Sequence, residues 1–115
     1  MNQKNFINEW LSAWTGNRPE SLLKFYHDDV FYSDPHHKNG LKGKENLALY
    51  LKKLLAKNPD WKWSLVELLP VDKNLFCIKW RAEIGRLVEF GVDIVGLKND
   101  LIIRNEVYFD TTQLK

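Results

Sequence analysis

The chain has 115 residues, a length that predicts a single domain over residues 1–115. Its 17 Lys and Arg against 15 Asp and Glu leave a formal charge of +2, too balanced for a surface that binds nucleic acid or an anionic membrane. The single cysteine, Cys77, excludes an intrachain disulfide, and there is neither an apolar leader nor a run of about 18 apolar residues. We therefore expect a cytoplasmic protein whose partner is a small molecule or a second copy of the chain.

Two helices are predicted near the N-terminus. Apolar residues on one helical face, among them Trp10 and Trp14, indicate a first helix over residues 2–15. Pro19 suits the first position of a second, short helix, which we expect to end at residues 27–29.

A brief strand and a third helix follow. Residues 30–32 are β-branched or aromatic, and Pro35 prevents a helix from continuing, so a short strand and then a polar loop are expected. An apolar stripe that includes Tyr50 predicts a third helix from about Gly43 to Asn58.

From residue 61 onward the apolar pattern alternates, which is typical of strands joined by short turns. The four predicted strands are Trp61–Leu69, Leu75–Ile84, Leu87–Leu97 and Leu101–Asp110. Helices followed by hairpin strands predict an α+β fold, a cone-shaped α+β barrel with three N-terminal helices packed on a strongly curved antiparallel sheet. We expect the helices and the sheet to enclose one mostly apolar pocket.

The alternation of apolar and polar residues shows which face of the strand at residues 75–84 points inward. It does not show this for the strand at residues 87–97. Phe76 and Trp80 share the apolar face of residues 75–84, so they should point inward. In residues 87–97 either four apolar residues are buried and Asp93 lies in water, or Asp93 faces the pocket and the four lie on the outer face. These four residues are Val88, Phe90, Val92 and Ile94.

Two basic-aromatic strings, at residues 61–63 and 79–81, suggest stacking on single-stranded nucleic acid. The alternation points their lysines outward and at least Trp80 inward, so packing in the core is the better interpretation.

Asp34, His36 and His37 suggest a metal site, because carboxylates and imidazoles bind divalent ions. Adjacent histidines have poor ligand spacing, so we expect no metal, and a His–Asp acid/base pair at the pocket mouth is the other interpretation. A nucleophile elbow and a glycine-rich phosphate loop are both lacking, so we expect no cofactor and neither covalent nor nucleotide chemistry.

Five strings resemble a known family in their order and spacing: LKFYHDDV at 23–30, DP at 34–35, GKENL at 43–47, GVD at 91–93 and YFD at 108–110. They are similar to the SnoaL-like polyketide cyclase and ketosteroid isomerase branch of the nuclear transport factor 2-like superfamily. The resemblance covers nearly the whole chain. It implies either a cofactor-independent isomerase, cyclase or hydratase that uses a pocket carboxylate, or a non-catalytic protein-interaction or ligand-sequestering module.

The resemblance also assigns roles to two carboxyl groups. Asp34 occupies the position of the catalytic base of ketosteroid isomerases, although an aspartate before Pro35 also suits a turn. Asp93 matches the family's neutral carboxylic acid, whose side chain faces the cavity. We therefore predict Asp34 and Asp93 as catalytic residues.

Two further positions qualify the resemblance. Trp10 stands where the isomerases have a tyrosine, and an indole donates a hydrogen bond but exchanges no proton, so steroid isomerisation is not expected. Asn105 should face inward and bind either a ligand oxygen or Asp93. The predicted ligand-binding residues are Trp10, Trp14, Tyr32, Tyr50, Phe76, Trp80, Asn105 and Phe109.

The expected ligand is a small apolar or aromatic molecule. An inward Asp93 would leave the patch of Val88, Phe90, Val92 and Ile94 on the outer face, where a second subunit is the usual cover. The resemblance therefore also predicts a homodimer.

Overall fold

Helices occupy the N-terminal half of the chain, together with one hairpin of strands. The structure, a computed structural model, describes residues 2–109. The elements in chain order are α1 Gln3–Ser12, α2 Pro19–Leu23, β1 Tyr26–Asp34, β2 His37–Lys42, α3 Lys44–Lys57, β3 Lys62–Asp72, β4 Leu75–Ile84, β5 Leu87–Lys98 and β6 Leu101–Phe109.

Each helix begins where its sequence offers a suitable cap. The Asn2 side chain accepts a hydrogen bond from the backbone N–H of Asn5 at 3.0 Å and caps α1. Pro19 is the first residue of α2, and Gly43, with φ +86°, precedes α3. The third helix is confirmed, whereas the first two are shorter than predicted because α1 ends at Ser12 and α2 at Leu23.

Six strands form one strongly curved sheet in the order β2-β1-β6-β5-β4-β3. All neighbouring strands are antiparallel except β1 and β6, which are parallel. The predicted α+β architecture is confirmed, with this one parallel pair added. Because β6 lies between β1 and β5, the last described strand pairs with a strand from the N-terminal half of the chain.

Three further features differ from the prediction. The segment after Asp34 is not a loop, because β2 pairs with β1, and Tyr26 begins a strand instead of ending a helix. Pro70 lies within β3, which tolerates it because β3 is an edge strand with one unpaired side. The prediction for Asp110 falls outside the described residues.

The register of β5 decides which of its faces is buried. Asp93 is only 4% exposed, whereas Val88, Phe90 and Val92 are 42%, 48% and 40% exposed, and Ile94 is half-buried. The interpretation that the resemblance supports is therefore confirmed, and the alternative with Asp93 in water was wrong. The burial of the Asp93 carboxyl group is tolerated because Trp80 and Asn105 donate hydrogen bonds to it.

The core lies between the helices and the inner face of the sheet. Its largest fully buried side chains include Trp10 of α1, Tyr26 of β1 and Phe76 of β4. Within residues 2–109 no helix has the length and the apolar character needed to cross a bilayer.

Candidate functional site

A cavity of about 360 Å³ opens beside the core, between α1, α3 and the sheet. Its wall is largely aromatic, and a few polar groups converge on it, as is usual for sites that bind small molecules. The aromatic lining residues are Trp14, Tyr32, Tyr50, Trp61, Trp63, Trp80 and Phe109. The polar lining residues are Asp34, His36, Asn58, Glu89 and Asp93.

The Asp34 carboxylate, at the end of β1, accepts four hydrogen bonds. Its Oδ1 accepts from the backbone N–H groups of His36 at 2.9 Å and His37 at 2.8 Å. Its Oδ2 accepts from the hydroxyl groups of Tyr32 at 2.8 Å and Tyr50 at 2.6 Å. Because a carboxylate offers about four lone-pair positions, the donors already present occupy them all. The turn role and the pocket position expected for Asp34 thus occur together.

The Asp93 carboxyl group, on β5, accepts only two hydrogen bonds. Trp80 Nε1 donates to Oδ1 at 2.7 Å, and Asn105 Nδ2 donates to Oδ2 at 2.9 Å. Each oxygen therefore keeps one free lone-pair position. Asp93 lines the cavity, so these positions belong to a group that a ligand can reach.

A chain of buried hydrogen bonds continues from Asp93 to the first helix. The Asn105 Oδ1 atom accepts from the Tyr26 hydroxyl at 3.0 Å, and that hydroxyl accepts from Trp10 Nε1 at 3.1 Å. All three side chains are fully buried, and the network satisfies each of these polar groups. Trp10 therefore holds Tyr26, which in turn fixes the orientation of the Asn105 amide.

The burial of these groups changes their acidity. Burial raises the pKa of Asp93 from 3.8 to about 6, against the lowering effect of its hydrogen bonds from Asn105 and Trp80, and the charge of Asp34 raises it further. Burial also raises the pKa of Tyr26, Tyr32 and Tyr50 well above the usual value of 10, and Asp34 adds to the effect on Tyr32 and Tyr50. The tyrosines therefore stay protonated near neutral pH, whereas Asp93 can gain or lose a proton.

The Trp80 indole reaches Asp93 because it lies against a glycine of the next strand. A Cβ atom at Gly91 would overlap the six-membered ring of Trp80. The Trp80 ring also packs edge-to-face on Trp63, with centroids 4.7 Å apart, and on Phe109, with centroids 5.9 Å apart. Glycine at position 91 thus leaves room for the ring that donates to Asp93.

Trp61 and Trp63 complete the wall, and sequence reasoning did not assign them to the site. Their rings pack edge-to-face at 5.4 Å, and the backbone carbonyl of Trp61 accepts a hydrogen bond from the Thr15 hydroxyl. The indole N–H groups of Trp61 and Trp63 are buried and have no hydrogen-bond acceptor among the described residues. The alternate spacing of Trp61, which directly precedes β3, and of Trp63 and Leu65 on β3 was the signal in the sequence that could have placed them.

The structure brings together most of the predicted site residues. Asp34, Asp93 and five of the predicted ligand-binding residues line the cavity. These five are Trp14, Tyr32, Tyr50, Trp80 and Phe109. The other three, Trp10, Phe76 and Asn105, are fully buried in the core and do not line it. Asn105 donates a hydrogen bond to Asp93, which is one of the two roles expected for it.

Tyr26 was not predicted as a site residue, because its place beside Phe25 suggested the end of a helix.

The two adjacent histidines have different surroundings. The His36 side chain is exposed and borders the cavity, whereas the His37 ring packs on Tyr50 with centroids 4.3 Å apart. Among residues 2–109 no three His, Cys, Asp or Glu side chains cluster in a way that could hold a metal ion.

The fold, with helices packed on a curved sheet, places this chain among the cone-shaped α+β domains. Its aromatic cavity lies beside a buried polar network. The model of the SnoaL-like domain family matches residues 7–105, and the chain belongs to that family. No curated protein matches the sequence.

Several solved structures share this fold. A SnoaL-like protein of unknown function from Burkholderia thailandensis superposes with a TM-score of 0.80 at 20% identity, over 96% of this chain and 98% of that one. A nuclear transport factor 2-like protein of unknown function from Cytophaga hutchinsonii gives 0.77 at 15% identity, over 99% and 95%. A candidate ketosteroid isomerase from Kribbella flavida gives 0.74 at 17% identity, over 92% and 76%. At such low identity the likeness concerns the fold alone.

Proposed function

We propose that the cavity binds a small, largely apolar or aromatic molecule and that a cavity carboxyl group transfers a proton to or from it without a cofactor. The observation that supports this most is the pair of buried carboxyl groups, Asp34 and Asp93, on one aromatic cavity. A general base works best when its pKa lies near the working pH, and the pKa of Asp93 is raised to about 6. Proton transfer next to a carbonyl group, as in an isomerase, cyclase or hydratase, is the expected reaction.

The hydrogen bonds favour Asp93 as the catalytic base, whereas the resemblance assigns that role to Asp34. Four donors surround Asp34, so one of them must move before Asp34 can accept a proton. Asp93 has a free position on each oxygen. In this proposal Asp93 accepts the proton, and Asp34 positions Tyr32 and Tyr50, which both line the cavity.

Hydrogen–deuterium exchange at carbon tests the proposal. The wild type, Asp93→Asn and Asp34→Asn are incubated in D₂O with the cyclic aryl ketones tetralone and indanone, and exchange next to the carbonyl is followed by NMR. We expect the wild-type rate to rise as the pH passes about 6, because Asp93 loses its proton there. Asp93→Asn should lose about a hundredfold or more of the rate, the usual size of a general-base contribution.

Other outcomes separate the alternatives. If Asp34→Asn abolishes exchange and Asp93→Asn retains the pH dependence, Asp34 is the base, as the resemblance suggests. If the ketones bind but the wild type exchanges no faster than buffer, the protein sequesters a ligand and the catalytic proposal fails.

A homodimer through the outer sheet face forms a second part of the proposal. Val88, Phe90 and Val92 on β5 and Tyr108 on β6 are each at least 40% exposed, and Tyr108 pairs with Val92 across the two strands. Contiguous apolar surface of this kind is typical of an interface. A second copy of the chain is a natural cover, because a twofold contact buries the same patch on both subunits.

Sedimentation of two matched variants tests the dimer. Phe90→Glu should convert a dimer of the wild type into a monomer at micromolar concentration. Leu49→Glu is the control, since Leu49 is 64% exposed on α3, away from the sheet, and should leave the dimer intact. A monomeric wild type would contradict the proposal.

A further inference from the structure

The charge of the cavity is opposite to the charge of the chain. The chain has a formal charge of +2, yet the cavity is lined by three carboxyl side chains, Asp34, Glu89 and Asp93. Among residues 2–109 no lysine or arginine lines it. Lys38 borders a separate, more open groove that Asp34 also touches. A ligand in the cavity therefore meets negative charge without a fixed positive charge from the described residues.

The wall of the cavity is suited to a cation for a second, independent reason. The faces of tryptophan, tyrosine and phenylalanine rings carry negative electrostatic potential and attract ammonium groups, most strongly for tryptophan. Four of the five tryptophans of the chain, Trp14, Trp61, Trp63 and Trp80, line this one cavity. Trp63 is at their centre, with ring centroids 5.8 Å from Trp14, 5.4 Å from Trp61 and 4.7 Å from Trp80.

From these two features we infer that the ligand is a hydrophobic organic cation, a substituted ammonium group on a small aromatic or alkyl body. The inference rests on the proposed ligand-binding role of the cavity and names the ligand's class. An amino ketone would satisfy both this inference and the proposed proton transfer. A carboxylate or phosphate ligand would instead face Asp34 and Asp93 with no compensating charge from the described lining.

Asp93 is the counter-charge that depends on pH. It lies inside the aromatic wall, and its ionised form needs a partner more than an exposed carboxylate does because burial penalises its charge. A bound cation would stabilise the carboxylate form and lower its pKa, and by thermodynamic linkage the cation would bind more tightly where Asp93 is ionised.

Several other titratable groups line the same cavity or belong to the hydrogen-bond network of Asp93. Tyr26, Tyr32 and Asp34 come from β1, Tyr50 from α3, His36 from the turn before β2 and Glu89 from β5 itself. The neighbours on β4 and β6, Trp80 and Asn105, carry no charge. His36 is the basic side chain among the described lining residues, so its contribution is tested with a separate variant.

Equilibrium binding of two isosteric probes tests the inference. Phenyltrimethylammonium and tert-butylbenzene have the same shape and differ in charge, and benzoate serves as the anion. Binding is followed through the tryptophan indole N–H signals in NMR spectra of the full chain. We expect the cation to bind about tenfold or more tightly than tert-butylbenzene at pH 7, with benzoate the weakest, as one cation–π contact and one buried counter-charge imply.

The pH dependence adds a second readout. Affinity for the cation should fall as the pH drops through about 6, where Asp93 gains its proton, whereas affinity for tert-butylbenzene should not change. The His36→Gln variant should keep this dependence and Asp93→Asn should lose it. Glu89→Gln, at a half-buried position, gives a further test of the charge effect should Asp93→Asn fold poorly.

Two results would overturn the inference. If tert-butylbenzene binds as tightly as the cation at pH 7, the cavity does not select charge, while the proposed proton transfer stands or falls on its own exchange assay. If none of the three probes shifts the indole signals, the cavity is not a site for ligands of this size, and the inference fails together with the binding role.

Discussion

Asp34 and Asp93 border the same cavity but are held in different ways. Three of the four donors to Asp34 come from residues at most three positions away, namely Tyr32, His36 and His37. Both donors to Asp93 come from other strands, 13 and 12 positions away. A carboxylate held by its own turn is part of the local structure, whereas one held by neighbouring strands exists only once the sheet has formed.

The comparison also separates the roles that the two groups can play. Four donors leave Asp34 no free lone-pair position, so it can serve as an anchor for Tyr32 and Tyr50. Two donors and nearly complete burial leave Asp93 with a raised pKa and two free lone-pair positions. Chemical reactivity is therefore expected at the site that the fold assembles from distant strands.

The largest expected effect concerns the pH dependence of stability. The pKa of Asp93 rises from 3.8 to about 6 on folding, so the folded state binds this proton more tightly. The stability gained in this way is fully present below pH 3.8 and is lost as the pH rises through about 6. The shift corresponds to about 3 kcal/mol.

Urea denaturation from pH 4 to pH 7 measures this effect. The free energy of unfolding of the wild type should fall by about 2.4 kcal/mol relative to Asp93→Asn over this range, less than the full shift because Asp93 of the unfolded chain is already partly ionised at pH 4. Glu89→Gln, at a half-buried cavity position, is the matched control and should keep the wild-type slope. If the free energy of unfolding depends on pH in the same way in the wild type and in Asp93→Asn, the pKa of Asp93 is not raised by folding, and the proposed difference between Asp34 and Asp93 is wrong.

The next effect concerns the network behind Asp93. Tyr26→Phe removes the hydroxyl that joins Trp10 Nε1 to Asn105 Oδ1 and leaves both buried groups without a partner. We expect a loss of about 2 kcal/mol in the free energy of unfolding.

The control is Tyr108→Phe, since Tyr108 is 54% exposed and its change should stay within about 0.5 kcal/mol. Equal losses in the two tyrosine variants would mean that the buried network does not hold Asp93.

Asp34→Asn should cost less, about 1.5 kcal/mol. The amide oxygen can still accept from the backbone N–H groups of His36 and His37, but the amide nitrogen cannot accept from Tyr32 and Tyr50. Thermal and urea unfolding measure the loss, with Asp60→Asn at an exposed position as the control. An increase in stability would indicate that the four hydrogen bonds hold Asp34 in a strained position, as at many functional sites.

The smallest effect separates the two tyrosines. Tyr50 is half-buried, so water in the cavity can replace its bond to Asp34, and Tyr50→Phe should cost about 1 kcal/mol or less. Tyr32 is 2% exposed, so Tyr32→Phe should cost more. A greater loss for Tyr50→Phe, measured by urea unfolding, would show that the cavity side of Asp34 carries most of its stabilisation.

Periodicity in the sequence predicted most of the fold. The third helix and the last four strands follow clear apolar patterns. The strand β2 was missed because residues 37–42 are mostly polar and lie at the edge of the sheet, where burial imposes no alternation. The start of β1 was missed because Tyr26 is buried by partners from α1 and β6, which no local pattern shows.

The site was predictable only in part. Strand alternation alone left the side of Asp93 open, and only the resemblance to a family predicted that it faces the cavity. The position of Trp10 suggested a ligand contact, but its indole N–H is taken by Tyr26, a partner 16 residues away. Contacts of this kind depend on the packing of distant elements, and residue type alone does not reveal them.

Gly91 links the shape of the cavity to its chemistry, although it does not line the cavity. An alanine at this position would place a methyl group where the Trp80 ring lies and would push the ring inward. The cavity would then shrink, and the indole N–H would move away from the Asp93 oxygen that it now contacts. One added carbon atom on β5 would therefore change both the size of the ligand that fits and the acidity of the group that receives it.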